Sequence, residues 1–255
     1  MFLRKILLSL ALIITAAVPC AAAEREFGEY KPIDCVPLSE MFGYDRNLPF
    51  NAEVTLKREG ALTKTYSIYF DSAHNQRVPA VLTVPKAPGP HPVIIFMHGH
   101  GMKKDMGEMA DMMLGQRKFA MFGIDVEYRN ERKRKGHDIL SEYVYSSRDA
   151  FIQTVIDNMR GIDYLETRDE IDTGRIGMMG LSMGTFIGSV VFSLDERIRV
   201  AAFGVGGGNW KKVGEKSFFG PLFMLKGSGR SIEDIFGAFS VVDPVNHVAN
   251  TKGRP

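Results

Sequence analysis

The chain has 255 residues, 45% of them apolar and 24% charged. That is enough to bury the core of one α/β domain, and it excludes disordered, collagenous and repeat-array classes. A formal net charge of +2 gives no electrostatic reason to expect nucleic acid or an anionic membrane as partner.

The first segment reads as an address and not as fold. Arg4 and Lys5 precede an apolar run over 6–18, followed by Pro19, Cys20 and the small residues Ala21, Ala22 and Ala23. This is the layout of a secretory signal peptide, with cleavage expected after Ala23 and a secreted or periplasmic product. The run is shorter than the roughly 20 residues a bilayer span needs, so no membrane association is expected after cleavage. Cys20 raises a lipoprotein signal as the competing reading, against which stand Pro19 directly before it and Ala17. Loss of 1–23 takes the 32 basic residues to 30, matching the 30 acidic ones. Cys35 is then the lone cysteine, which excludes a disulfide-built scaffold and reads as a small buried hydrophobe.

Residues 24–59 carry little periodicity and read as an N-terminal extension, with an α/β domain over 60–255. Residues 65–70 (TYSIYF) and 78–84 (VPAVLTV) are β-rich and flank a polar turn, which predicts a hairpin. Residues 93–97 (VIIFM) and 119–125 (FAMFGID) are apolar without alternation, as strands buried on both faces are. Between them Met102, Met106, Met109 and Met113 fall on one helical stripe; core packing explains this better than a methionine metal site. Residues 128–138 hold Arg129, Arg132, Lys133, Arg134 and Lys135 and read as a solvated loop. A helix capped by Ser146 or Ser147 is predicted to run to about Thr167, with Ile152, Val155, Met159 and Ile162 on its apolar face. A strand over 175–181, a helix over 185–194 and a strand over 199–203 follow. Beyond Asn209 the pattern predicts a helix over 232–239 and a short one started by Asp243-Pro244. Six strands alternating with helices imply a mostly parallel sheet flanked by helices.

Chemistry concentrates in two places. Gly180-Leu181-Ser182-Met183-Gly184 ends one predicted strand and opens a helix. A sharp turn there lifts the Ser182 hydroxyl above the sheet and aims helix N–H groups at developing negative charge. His98-Gly99-His100-Gly101 follows the VIIFM strand, where an acyl-transfer enzyme needs a second backbone donor. The expected oxyanion hole joins the Met183 amide to that of His100, with Gly101 close behind. His98 and His100 could chelate a metal. No acidic or cysteine ligands cluster nearby, so side-chain bonds that hold the loop are the favoured role.

With Arg77-Val78-Pro79-Ala80, the HGHG loop, Phe122-Gly123-Ile124-Asp125 and the Asp172–Gly177 lead-in to GLSMG, the sequence resembles the dienelactone hydrolase and acetyl xylan esterase branch of the α/β-hydrolase superfamily, over about residues 60–255. The resemblance implies a cofactor-free Ser–His–acid triad with Ser182 as nucleophile. The substrate it implies is a small-molecule or carbohydrate ester. It also places the acid and the histidine after the seventh and eighth strands of the family fold. The domain therefore reads as C-terminally incomplete, with both residues expected beyond Pro255. Asp243, His247 and His137 read as structural or on the wrong connection. Two other readings stay open: a prolyl-oligopeptidase-like serine peptidase, for which residues 24–60 are too short to hold a propeller, and a noncatalytic binding protein of the same fold. Neither the acyl and alcohol groups nor the oligomeric state is written in a motif.

Overall fold

The computed structural model describes residues 38–105, 119–216 and 229–255. Seven strands make one sheet: β1 (Glu53–Glu59), β2 (Thr63–Ser72), β3 (Gln76–Pro85), β4 (His91–Met97), β5 (Ala120–Ile124), β6 (Ile171–Leu181) and β7 (Ile198–Gly204), in the order β1-β2-β3-β5-β4-β6-β7. β5, β4, β6 and β7 run parallel, while β1, β2 and β3 pair antiparallel with one another and β3 with β5. The expected hairpin is present, with Thr65 opposite Thr83 and Phe70 opposite Val78. The helices are α1 (Val144–Leu165), α2 (Met183–Leu194), α3 (Trp210–Lys216) and α4 (Ile232–Phe239).

One sequence expectation needs correction at the N-terminal side. Residues 24–59 are not an extension throughout, because Glu53–Glu59 is a seventh strand. Its burial pattern shows why it escaped notice: six of its seven residues are exposed, so no alternation of apolar and polar residues marks it. Phe42, in the 3-10 turn Leu38–Phe42, is part of the core. The expected signal peptide, Cys35, and Met106, Met109 and Met113 of the methionine stripe lie outside the described residues.

The unbroken apolar strands are buried as their sequences required. All five residues of β5 are buried, and Val93, Ile95 and Met97 of β4 are inaccessible. α1 packs beneath them through Phe151, Val155, Ile156, Met159 and Ile162. It begins at Val144, earlier than either serine; Ser147 lies inside the helix, where its Oγ accepts the Ser141 N–H at 2.9 Å. α4 matches its expected span, with Ser231 Oγ capping the Asp234 N–H at 3.0 Å.

Trp210 belongs to this core. It stacks on Phe186 with ring centroids 4.1 Å apart and meets Phe151 and Phe239 edge-on. Asp243 fixes that corner by accepting the amides of Asn209 at 2.7 Å, Trp210 at 2.8 Å and Val245 at 3.1 Å. The last of these starts the short 3-10 turn Pro244–Asn246.

Candidate active site

The C-terminal ends of β4, β6 and β7 lie side by side, and β6 is the middle strand. Ser182 follows β6 directly and stands at φ 55°, ψ −120°, a conformation that costs a non-glycine residue on the order of 1–3 kcal/mol. The surroundings enforce it. The Ser182 N–H donates to the Gly204 carbonyl at 2.9 Å, and the Ser182 carbonyl accepts the Thr185 N–H at 2.9 Å. Thr185 is buried, and its hydroxyl donates to Gly204 O at 2.6 Å and Gly180 O at 3.1 Å. The Ser182 turn is thereby tied to the end of β7.

The two glycines of the motif are needed for space. A Cβ on Gly180 would stand 2.5 Å from the Gly184 carbonyl, and one on Gly184 would stand 2.1 Å from that of Met97. α2 therefore enters flush against the end of β4, and Met183 is its first residue. The first N–H groups of a helix lack intrahelical partners, so such a position can donate to a developing oxyanion.

The His98–Gly101 loop lies against this turn. A Cβ on Gly99 would meet the Ser182 Cβ at 3.3 Å and the Leu181 carbonyl at 3.2 Å. Of the two loop glycines, Gly99 abuts the serine, whereas a Cβ on Gly101 would meet nothing within 4 Å. The loop closes on itself through Met102 N–H to Gly99 O at 3.1 Å, with Gly101 at φ 82°.

Among the described residues no three His, Cys, Asp or Glu side chains converge as a ligand group. His98 donates through Nδ1 to Gly99 O at 3.0 Å; its buried Nε2 is without a hydrogen-bond partner among the described residues and stands 4.0 Å from Asp125. Burial pushes its pKa below the usual value. His100 accepts through Nε2 from the Arg129 guanidinium at 2.6 Å, which assigns its proton to Nδ1. Burial, and then the Arg129 charge, lower its pKa as well. Arg129 is in turn held by Asp138 at 2.7 Å.

A second anchor sits behind the loop. Lys104 is buried, with Nζ 2.6 Å from Asp125 and 2.5 Å from Glu131, and Tyr69 donates to Glu131. Burial works against the Lys104 charge, but the bonds from Asp125 and Glu131 outweigh it and raise the pKa. Asp125 also accepts the Lys104 N–H at 3.3 Å and Asn130 Nδ2 at 2.8 Å. The basic stretch 128–138 is accordingly not a plain solvated loop. Arg132 is buried between Glu127 and Asp157, 2.6 Å from the latter. Asp157 comes from α1, a partner that spacing along the chain could not reveal. The apolar strand ending abruptly in Asp125 was the one legible hint of this scaffold.

Each of the six histidines engages something other than Ser182. Besides His98 and His100, His74 bonds Gln153, His91 bonds the Ala87 carbonyl, His137 packs on Tyr128 and buried His247 bonds Val241 O at 2.7 Å. The site so far comprises a serine strained at positive φ, a helix N-terminus and a glycine loop backed by three ion pairs, Arg129–Asp138, Lys104–Asp125 and Lys104–Glu131. Such an arrangement suits nucleophilic attack on an acyl carbonyl.

The acetyl xylan esterase family model matches residues 38–205. Among curated proteins, YtaP of Bacillus subtilis (strain 168) is 27% identical, over 56% of the chain and 52% of YtaP. The chain thus spans about half the length of that relative. Among solved structures, an acetyl xylan esterase from Paenibacillus sp. R4 superposes with a TM-score of 0.67 at 19% identity, covering 84% of the chain and 73% of its own. Acetyl xylan esterase 1 from Thermoanaerobacterium sp. JW/SL YS485 does so with a TM-score of 0.66 at 16% identity and the same coverage. Likeness at this level is a shared α/β-hydrolase fold.

Proposed function

Because the chain belongs to the acetyl xylan esterase family, we propose that the protein hydrolyses carboxylic esters with Ser182 as nucleophile. Ser182 Oγ attacks the acyl carbonyl carbon, the alcohol departs with a proton, and water cleaves the acyl-enzyme to release the acid. The Met183 amide and an amide of the His98–Gly101 loop, assigned to His100 with Gly101 beside it, receive the oxyanion. No cofactor takes part. The substrate is a small-molecule or carbohydrate ester. The triad acid and histidine are assigned to chain beyond Pro255; the engagement of all six histidines away from Ser182 supports this. Residues 1–23 are assigned to a signal peptide, and the amino-terminal sequence of the exported protein checks the cut after Ala23.

The observation that carries the reading is the backbone of Ser182, forced to positive φ between β6 and α2 with Gly99 against its Cβ. The test compares full-length protein with Ser182→Ala on p-nitrophenyl acetate and on acetylated xylo-oligosaccharides. Loss of at least about a thousand-fold in kcat is expected from removal of a nucleophile. Full turnover by the variant overturns the assignment.

A further inference from the structure

Among the described residues, three exposed apolar side chains belong to segments that border the Ser182 turn. Met102, Leu181 and Val205 are all exposed. Leu181 directly precedes Ser182. Met102 Sδ would lie 3.4 Å from a Cβ on Gly99, the glycine that abuts Ser182 Cβ. Val205 is bracketed by residues in contact with the serine: Gly204 O accepts the Ser182 N–H, and a Cβ on Gly206 would stand 2.9 Å from Ser182 O.

Val205 is the most unusual of the three. It is 82% exposed and holds φ 57°, a region that a β-branched side chain avoids and glycine enters freely. No packing stabilises an isopropyl group displayed in this way. The clamp that strains it is the one that ties Gly204 to Ser182 and Thr185. Strand order gives the direction. β4 and its glycine loop flank Ser182 on one side, and β7 with Val205 flanks it on the other. An acyl group whose carbonyl oxygen turns to the glycine loop extends its chain away from that loop, toward Val205.

We propose that Met102, Leu181 and Val205 form an apolar collar around Ser182, and that Val205 is a specificity-determining residue that contacts the acyl chain of the bound ester. The proposal rests on the ester-hydrolase reading and adds a preference to it: acyl groups longer than acetyl gain contact with Val205.

The test uses full-length protein and the variants Val205→Gly and Val205→Asn, on p-nitrophenyl acetate and butyrate. Glycine relieves the backbone, and asparagine tolerates the same φ while replacing methyl groups by an amide. Both variants should lower the butyrate-to-acetate ratio of kcat/KM about tenfold, as for a lost apolar contact of one or two carbons, and mainly through KM. The Tm of Val205→Gly should not fall, so a folding defect does not account for the change. A ratio within twofold of wild type in both variants overturns the collar while leaving the hydrolase reading intact. Hydrolysis of neither ester by wild type overturns both.

Discussion

Replacing Gly184 by alanine probes the closest approach in the site. The new Cβ would stand 2.1 Å from the Met97 carbonyl oxygen and 2.8 Å from that of His98, where ordinary contact begins at 3.4 Å. The methyl group intrudes by roughly 1 Å on backbone of β4, which cannot rotate aside as a side chain does. Alanine gains at most about 1 kcal/mol over glycine in helix propensity. Overpacking costs up to about 3 kcal/mol, so a net loss of about 2 kcal/mol is expected. In a domain of this size that lowers Tm by about 4–8 °C. Relief requires α2 to back away from β4 by about 1 Å, carrying Ser182 and the Met183 amide with it. Misplacement on that scale costs on the order of a hundredfold in rate. Gly237 in α4 supplies the control, since nothing lies within 4 Å of a Cβ there. Gly237→Ala should keep full activity and melt at or slightly above the wild-type temperature. Thermal melts by circular dichroism and kcat/KM on p-nitrophenyl acetate decide the matter. A Gly184→Ala protein that melts and turns over like wild type refutes the packing argument.

Thr185→Val removes the hydroxyl bonds to Gly204 and Gly180 while keeping volume. About 1 kcal/mol of stability should be lost in urea titration, with kcat falling more than KM because the turn loosens around the reacting oxygen. Lys104→Ala strips buried Asp125 of its cation and should cost about 3 kcal/mol in the same titration. The raised Lys104 pKa means that this stabilisation is complete below the unfolded value near 10.4 and is lost as pH rises above it. His98 and His247 behave in the opposite sense. Their folded pKa values are lowered by burial, so below pH about 6.5 the unfolded chain binds protons that the native chain refuses. Stability should therefore fall from pH 6.5 to 5.5, by up to about 1 kcal/mol per histidine. His98→Asn should flatten that part of the profile; an unchanged slope refutes the assignment.

What could be read from the sequence followed physical contrast. β4 and β5 are apolar on both faces because sheet neighbours and helices cover them, so their runs stand out. The serine turn was legible because Gly180 and Gly184 are demanded by backbone approaches of 2.5 and 2.1 Å that no side chain fits. β1 left no mark because it is exposed on both faces. Arg132, buried inside the basic stretch 128–138, looked like a solvated charge because its partner Asp157 lies 25 residues away along the chain. The strain at Val205 has no sequence signature, since it arises from bonds made by its neighbours. Gly99 meets the serine because β4 ends level with β6, Met97 opposite Gly180, a register that motif spacing does not report.

The most direct measurement is covalent labelling of the full-length protein with a fluorophosphonate probe, read by intact mass and peptide mapping. The account predicts one added phosphonyl group, on the peptide containing Ser182, with none on the Ser182→Ala protein. A folded wild-type protein that stays unmodified, or carries the label on another residue, contradicts it.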